Sequence, residues 1–307
     1  MTNLTQKEIL DKLIDNKSLF NNIHVITQKF DILPDDKEHL GASIEYQDLF
    51  ELRQEFLDEL YDTIVDWVYS SQKYEKLKKE FIRKGKSESA AVSEIQRKAR
   101  NTFRGNKNTE ELLIQGQLGE LLLFHFIQRY KQAVPILRKM KITTSSKHER
   151  FGADAIHFKY ENNKPIIILG EAKTYSSNYK FNAAFEDAIE SILSTYKSHR
   201  EEIYSYVHED FLDDDMNNIA ELYIENKLPN VEVHLVSIIV YNETKKINGA
   251  NETEIKKSID QIIAQRYAKF DKSKINITEN AILGRITYIV FPVWGLDELA
   301  EQFQKKI

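Results

Sequence analysis

An uninterrupted apolar run, Ile166-Ile167-Ile168-Leu169, constrains this chain more than any other stretch of it. A strand without polar alternation must be covered on both faces, as in sheets flanked by helices. The run continues into Gly170-Glu171-Ala172-Lys173 and is preceded by a second apolar stretch, Ala155-Ile156-His157-Phe158. Between them lies the polar segment Lys159-Tyr160-Glu161-Asn162-Asn163-Lys164-Pro165. Two strand-like runs around an Asn-Asn turn predict a β-hairpin. A two-residue turn at Asn162-Asn163 puts Asp154 directly opposite Glu171, with Cβ atoms roughly 5 Å apart. Lys173, two residues beyond Glu171, projects from the same face of its strand.

Two adjacent carboxylates repel each other, and their place at the end of a buried strand makes that costly. Such acids pair with cations or bind a metal. An all-oxygen site suits a hard ion such as Mg²⁺ or Mn²⁺, which keeps several waters and takes only one or two protein carboxylates. The alternative is a surface salt-bridge cluster of Asp154, Glu171 and Lys173. An acid-any-lysine triplet by itself says little in a chain that is 30% charged. Asp15-Asn16-Lys17, Glu225-Asn226-Lys227, Glu243-Thr244-Lys245 and Glu254-Ile255-Lys256 all match it, and none ends an apolar strand opposite a second acid.

A third acid lies upstream. Leu112 to Ile127 is apolar almost all round, which predicts a buried helix, and Glu120 is the lone acid in its middle. Gly116 and Gly119 cost helix stability and predict close approach to another element. Glu120 either points into the metal site or pairs with an arginine such as Arg129 or Arg138.

Glu120 on a buried helix, Gly152-Ala153-Asp154, and Gly170-Glu171-Ala172-Lys173 on the following strand together resemble the PD-(D/E)xK nuclease superfamily. The proline usual before the first acid is replaced here by Gly152-Ala153. Over its whole length the chain more specifically resembles the HamA family of the Hachiman anti-phage defence system. The superfamily resemblance implies a restriction-endonuclease-like α/β core, a mixed sheet flanked by helices. The HamA resemblance implies a cytoplasmic, metal-dependent DNase that pairs with the helicase HamB. On this reading Asp154 and Glu171, helped by the Ala172 carbonyl, hold Mg²⁺ or Mn²⁺. Glu120 serves a second ion or orients a water, and Lys173 positions the attacking water. The rival expectations are a catalytically inactive nuclease-fold adaptor and an RNase.

Composition sets outer bounds. The 307 residues allow one large domain or two small ones. Without cysteine there is no disulfide framework and no thiolate ligand or nucleophile. Neither a signal-peptide pattern nor an apolar run of membrane-spanning length is present, so a cytoplasmic protein is expected. At a net charge of −5, any DNA contact must come from a local patch. The densest basic stretch holds Arg97, Lys98, Arg100 and Arg104, which could follow a phosphate backbone, dock a partner or form an ordinary solvated face. Lys147 and Arg150, just before the first acid, are candidates for phosphates flanking the scissile bond, or part of an ordinary polar loop. His125 and His157 read as core or edge residues. Gly85-Lys86-Ser87 resembles the end of a phosphate-binding loop, but Glu80 stands where the loop requires glycine, which excludes a nucleotide site.

The expected organisation is a mostly helical region at 1–108, for partner or DNA contact, and a nuclease-like domain at 109–307. Periodic stretches predict helices over Leu49 to Phe81 and Ser87 to Phe103, with a short β-like segment at Ile23 to Thr27. After the buried helix come a strand near Ile136 to Thr144 and the hairpin. An amphipathic helix through Phe181 to Tyr196 follows, then a strand at Val231 to Tyr241. The series closes with a helix at Glu252 to Phe270, a strand at Arg285 to Val293 and a short terminal helix. Asp210 to Asp215 is expected to be a solvated acidic loop.

Overall fold

Asn162 and Asn163 both adopt positive φ, 51° and 62°, as a two-residue hairpin turn of the primed type demands. The strands on either side pair with Ala155 opposite Gly170, the register derived from that turn. The computed structural model describes residues 6–14, 16–104, 110–137, 152–176, 181–208 and 214–307. Lys147, Arg150 and Arg138, and most of the strand expected up to Thr144, lie outside the described residues.

Helices α1 (Gln6–Leu10) and α2 (Lys17–Asn21) precede β1 (Ile23–Gln28) and β2 (His39–Ile44). A small hairpin, β3 (Tyr46–Gln47) and β4 (Phe50–Glu51), leads into α3 (Arg53–Asp62), α4 (Ile64–Val68), α5 (Ser71–Arg83) and α6 (Glu88–Arg104). The helix expected from Leu49 to Phe81 is therefore broken. Ser70 starts a new helix there by accepting a hydrogen bond from the Lys73 N–H at 3.1 Å. Next come α7 (Glu110–Lys131), β5 (Val134–Leu137), β6 (Ala155–Glu161), β7 (Lys164–Tyr175) and α8 (Phe181–His208). The chain ends with α9 (Asp214–Ile224), β8 (Glu232–Asn242), α10 (Glu252–Lys269), β9 (Ile286–Val293) and α11 (Leu296–Lys306). Asp214 and Asp215, expected in a loop, open α9, and Asp210 to Asp213 lie outside the described residues.

Seven strands form one mixed sheet in the order β1-β2-β9-β8-β7-β6-β5. The inner strands β2, β9, β8 and β7 run parallel, and antiparallel strands complete both edges. Two strands of the region expected to be mostly helical, β1 and β2, thus join the sheet, and only the first matches an expected β-like segment. The segment His39–Ile44 was not legible as a strand, because it offers only Leu40 and Ile44 as large apolar residues. Strands from before and after residue 108 share this sheet and its cores.

The sheet is covered on both faces. Ile166, Ile168, Val236 and Ile238 pack with Leu118, Leu122 and Ile127 of α7, with Leu57 of α3 and with Phe303 of α11. Ile167, Leu169, Leu235 and Ile239 pack on the other face with Phe185, Ile189 and Ile192 of α8 and with Ile259 and Ile263 of α10. Residues Ile166 to Leu169 are between 0% and 2% exposed, which explains their lack of polar alternation. The order α7, β5, β6, β7, α8, β8, with α9 inserted before β8, follows the expected series of a helix, three strands, a helix and a strand.

Close approach of α7 to β7 has a local cause. A Cβ added at Gly119 would meet Thr174 and Ala172, so only glycine lets the helix settle there. Gly116, expected to act likewise, faces open space instead.

Candidate active site

The hairpin positions the first pair of acids. Asp154 stands one residue before β6, and its N–H donates to the Gly170 carbonyl at 3.0 Å. Its Oδ2 accepts the Ala172 N–H at 2.9 Å, which fixes the carboxylate beside β7. Lys173 places its Nζ 2.9 Å from Glu171 Oε1. Ser191 on α8 donates its hydroxyl to the same oxygen at 2.6 Å. These groups line a cleft of about 500 Å³, together with Glu120 from α7 and Ser194, Thr195 and Ser198 from α8. Helices from both faces of the sheet therefore meet at one place along β7. Glu120, Asp154, Glu171 and Lys173, all expected from the sequence, line this one cleft.

Electrostatics single out Glu171. It is 4% exposed, and its Oε2 has no hydrogen-bond partner among the described residues. Burial, first, and then the neighbouring Asp154 raise its pKa above the ordinary glutamate value, and Lys173 and Ser191 only partly offset them. Among the described residues the lining brings together three carboxylates and one ammonium. The partnerless oxygen and the all-oxygen donors fit a hard cation such as Mg²⁺ or Mn²⁺. Among the described residues no three His, Asp or Glu side chains converge closely enough to enclose an ion unaided, so an ion here would keep waters.

The α8 hydroxyls escaped the sequence reading. The periodicity of α8 marks its apolar positions Phe185, Ile189, Ile192 and Tyr196 but gives no role to the polar stripe beside them. Serine and threonine at helical spacing were visible, but nothing local says which strand the stripe will face.

The basic residues of α6 lie away from this cleft, and most have partners of their own. Arg97 pairs with Glu94, three residues back. Lys98 sits 4.6 Å from the centre of the Phe81 ring. Arg100 lies 4.0 Å over the Tyr61 ring and 3.6 Å from Asp62. Arg104 ends α6 with an exposed side chain. His125 and His157 are buried, as expected of core residues, and His125 Nδ1 lies 2.8 Å from the Asn16 side-chain amide.

Compared with protein families, the sequence matches HamA over residues 18–307, nearly its whole length. The chain belongs to the HamA family. That membership ties it to an anti-phage defence role. Neither the curated proteins nor the solved structures include one that matches this HamA chain. Among the described residues no helix is long and apolar enough to cross a membrane.

Proposed function

We propose that this HamA family member is a metal-dependent deoxyribonuclease working in an anti-phage complex with a helicase subunit of the HamB kind. The buried, partnerless Oε2 of Glu171 beside Asp154 carries this reading. A buried acceptor without a donor is destabilising as it stands, and a cation shared by the two acids removes that cost. Asp154 and Glu171 would hold Mg²⁺ or Mn²⁺, with the Ala172 carbonyl as a further oxygen, and Glu120 would serve a second ion or orient a water. When bound, the cation supplies Lewis acidity and makes water acidic enough to attack near neutral pH. Lys173 orients the attacking water and offsets charge that builds on the phosphate. Ser191 keeps one Glu171 oxygen oriented by its hydroxyl.

Contact with the phosphates flanking the scissile bond is assigned to Lys147 and Arg150, and DNA or partner contact to Arg97, Lys98, Arg100 and Arg104. Reversing these four charges on α6 is expected to flatten the salt dependence of DNA binding, or to loosen the complex if this face docks the partner. The decisive experiment incubates the purified chain with plasmid DNA and Mg²⁺, alone and with its helicase. Cleavage that stops with a chelator and with Asp154→Ala is expected. Undiminished cleavage by a folded Asp154→Ala protein would overturn the assignment. A parallel RNA substrate tests the sugar preference.

The ion pair that Lys173 closes on Glu171, with no three side chains among the described residues enclosing an ion, favours a second reading in which the fold is an inactive adaptor. Mn²⁺ separates the two. It should raise the thermal midpoint of the wild-type protein but not of Glu171→Ala if the cleft is a metal centre, and of neither if the acids are structural.

A further inference from the structure

One stripe of polar residues runs along α8 beside its apolar face. Ser191, Thr195, Ser198 and Glu202 follow at steps of four, three and four, which return each to the same side of a helix. The two ends of the stripe reach two different parts of the cleft. At one end Ser191 holds Glu171 Oε1 at 2.6 Å. At the other, the Ala153 N–H donates to Glu202 Oε2 at 3.0 Å, one residue before Asp154.

Gly152 ties the second contact to the sequence. Its φ is 147°, a conformation L side chains rarely adopt, and a Cβ there would run into the Glu202 carboxylate. The glycine before Asp154 therefore makes room for Glu202, and Glu202 in turn anchors the backbone that leads into Asp154. Packing does not explain a carboxylate at this position, since a further negative charge near a cleft with three acids adds repulsion. An acceptor oxygen that reaches the Ala153 N–H does explain a side chain of this length here.

We propose that Glu202 is a positioning residue that acts through the Ala153 backbone to set Asp154 against Glu171. α8 is then the rigid spacer that holds both acids, one through Glu202 and the other through Ser191. This assignment rests on the reading of Asp154 and Glu171 as the cation-holding pair.

The test is direct Mn²⁺ binding to the full chain, measured by electron paramagnetic resonance, with thermal midpoints recorded alongside. Asp154→Ala should abolish binding. Glu202→Ala should weaken it about tenfold, the scale of losing a group that orients a ligand. Glu202→Asp, too short to reach the Ala153 N–H, should behave like Glu202→Ala. Glu202→Gln still offers an acceptor oxygen and should weaken binding less than about threefold, because the role is orientation and not charge. Unchanged Mn²⁺ affinity in Glu202→Ala and Glu202→Asp, with Asp154→Ala inert, would overturn the positioning role and leave the cation site standing. Equal damage from Gln and Ala would overturn it too, by making Glu202 act through its charge. If Asp154→Ala bound Mn²⁺ like the wild type, the cation reading itself would fall.

Discussion

Glu171, within β7, and Glu243, just past the end of the neighbouring strand β8, are both buried glutamates, 4% and 2% exposed, yet their surroundings differ completely. Glu243 is saturated. Its Oε1 accepts from Arg266 Nη2 at 2.5 Å and from the Thr244 and Lys245 N–H groups at 2.8 and 2.9 Å. Its Oε2 accepts from Arg266 Nε at 2.8 Å and from the Tyr241 hydroxyl at 2.9 Å. Burial alone would raise its pKa, but the Arg266 hydrogen bonds and charge, with the two amides, outweigh burial and hold it below the ordinary value. Glu171 instead has one bonded oxygen and one without a partner among the described residues, and burial, then a like-charged neighbour, raises its pKa. Burial alone therefore does not tell these two acids apart. Completeness of bonding does.

The two acids should respond to mutation in opposite ways. The largest expected effect is on catalysis: Glu171→Gln should lower DNA cleavage at least about a thousandfold, about 4 kcal/mol of barrier. The metal-free protein should be no less stable for it, because the change removes a repelled charge. Plasmid cleavage rates and a thermal melt check both halves, and a folded, fully active Glu171→Gln protein would erase the contrast. Glu243→Ala should do the reverse, costing about 3 kcal/mol of stability by stranding Arg266 while the folded fraction keeps its rate. Urea denaturation at neutral pH reads this loss directly.

Lys173→Ala should cut turnover about a hundredfold while Mn²⁺ affinity changes little, since the role proposed for it lies at the transition state. Lys173→Arg should not rescue it, because a planar fork does not replace a compact ammonium. Loss of Mn²⁺ affinity with turnover intact would make Lys173 a counter-ion only. The smallest effect is on acid sensitivity. A glutamate whose folded pKa is depressed contributes stability above its unfolded value, here 4.5, and loses that contribution as pH falls through the folded value. The stability gap between wild type and Glu243→Gln should therefore be widest near neutrality and narrow below pH 4.5. A pH series of urea midpoints measures it, and a gap independent of pH would show that Glu243 acts by shape alone.

Much of the cleft was legible because its parts are neighbours along the chain or related by a short turn. Asn162 and Asn163 supply the positive φ values of the hairpin, and strand alternation then carries Asp154, Glu171 and Lys173 to one face. The apolar surround of Glu120 announced a buried helix, although not which groups its carboxylate would meet. The contacts of Ser191 and Glu202 were illegible. Each is an ordinary polar residue on a long helix, and its meaning depends on how that helix lies across β7.

By itself the sequence determined the local relations: the turn, the register it imposes, the doubly covered strand and the apolar faces of α7 and α8. These follow from backbone sterics and from side-chain periods of two or 3.6 residues, which act over a few positions. Only the tertiary structure decided which distant pieces meet. Leu40 of β2 pairs with Ile289 of β9, which draws the front of the chain into the sheet. Arg266 reaches Glu243 from α10, and Glu202 reaches Ala153 from α8. No periodicity spans such separations. They are selected by the burial of two apolar faces against one sheet, which fixes where each helix lies and hence what its polar residues can touch.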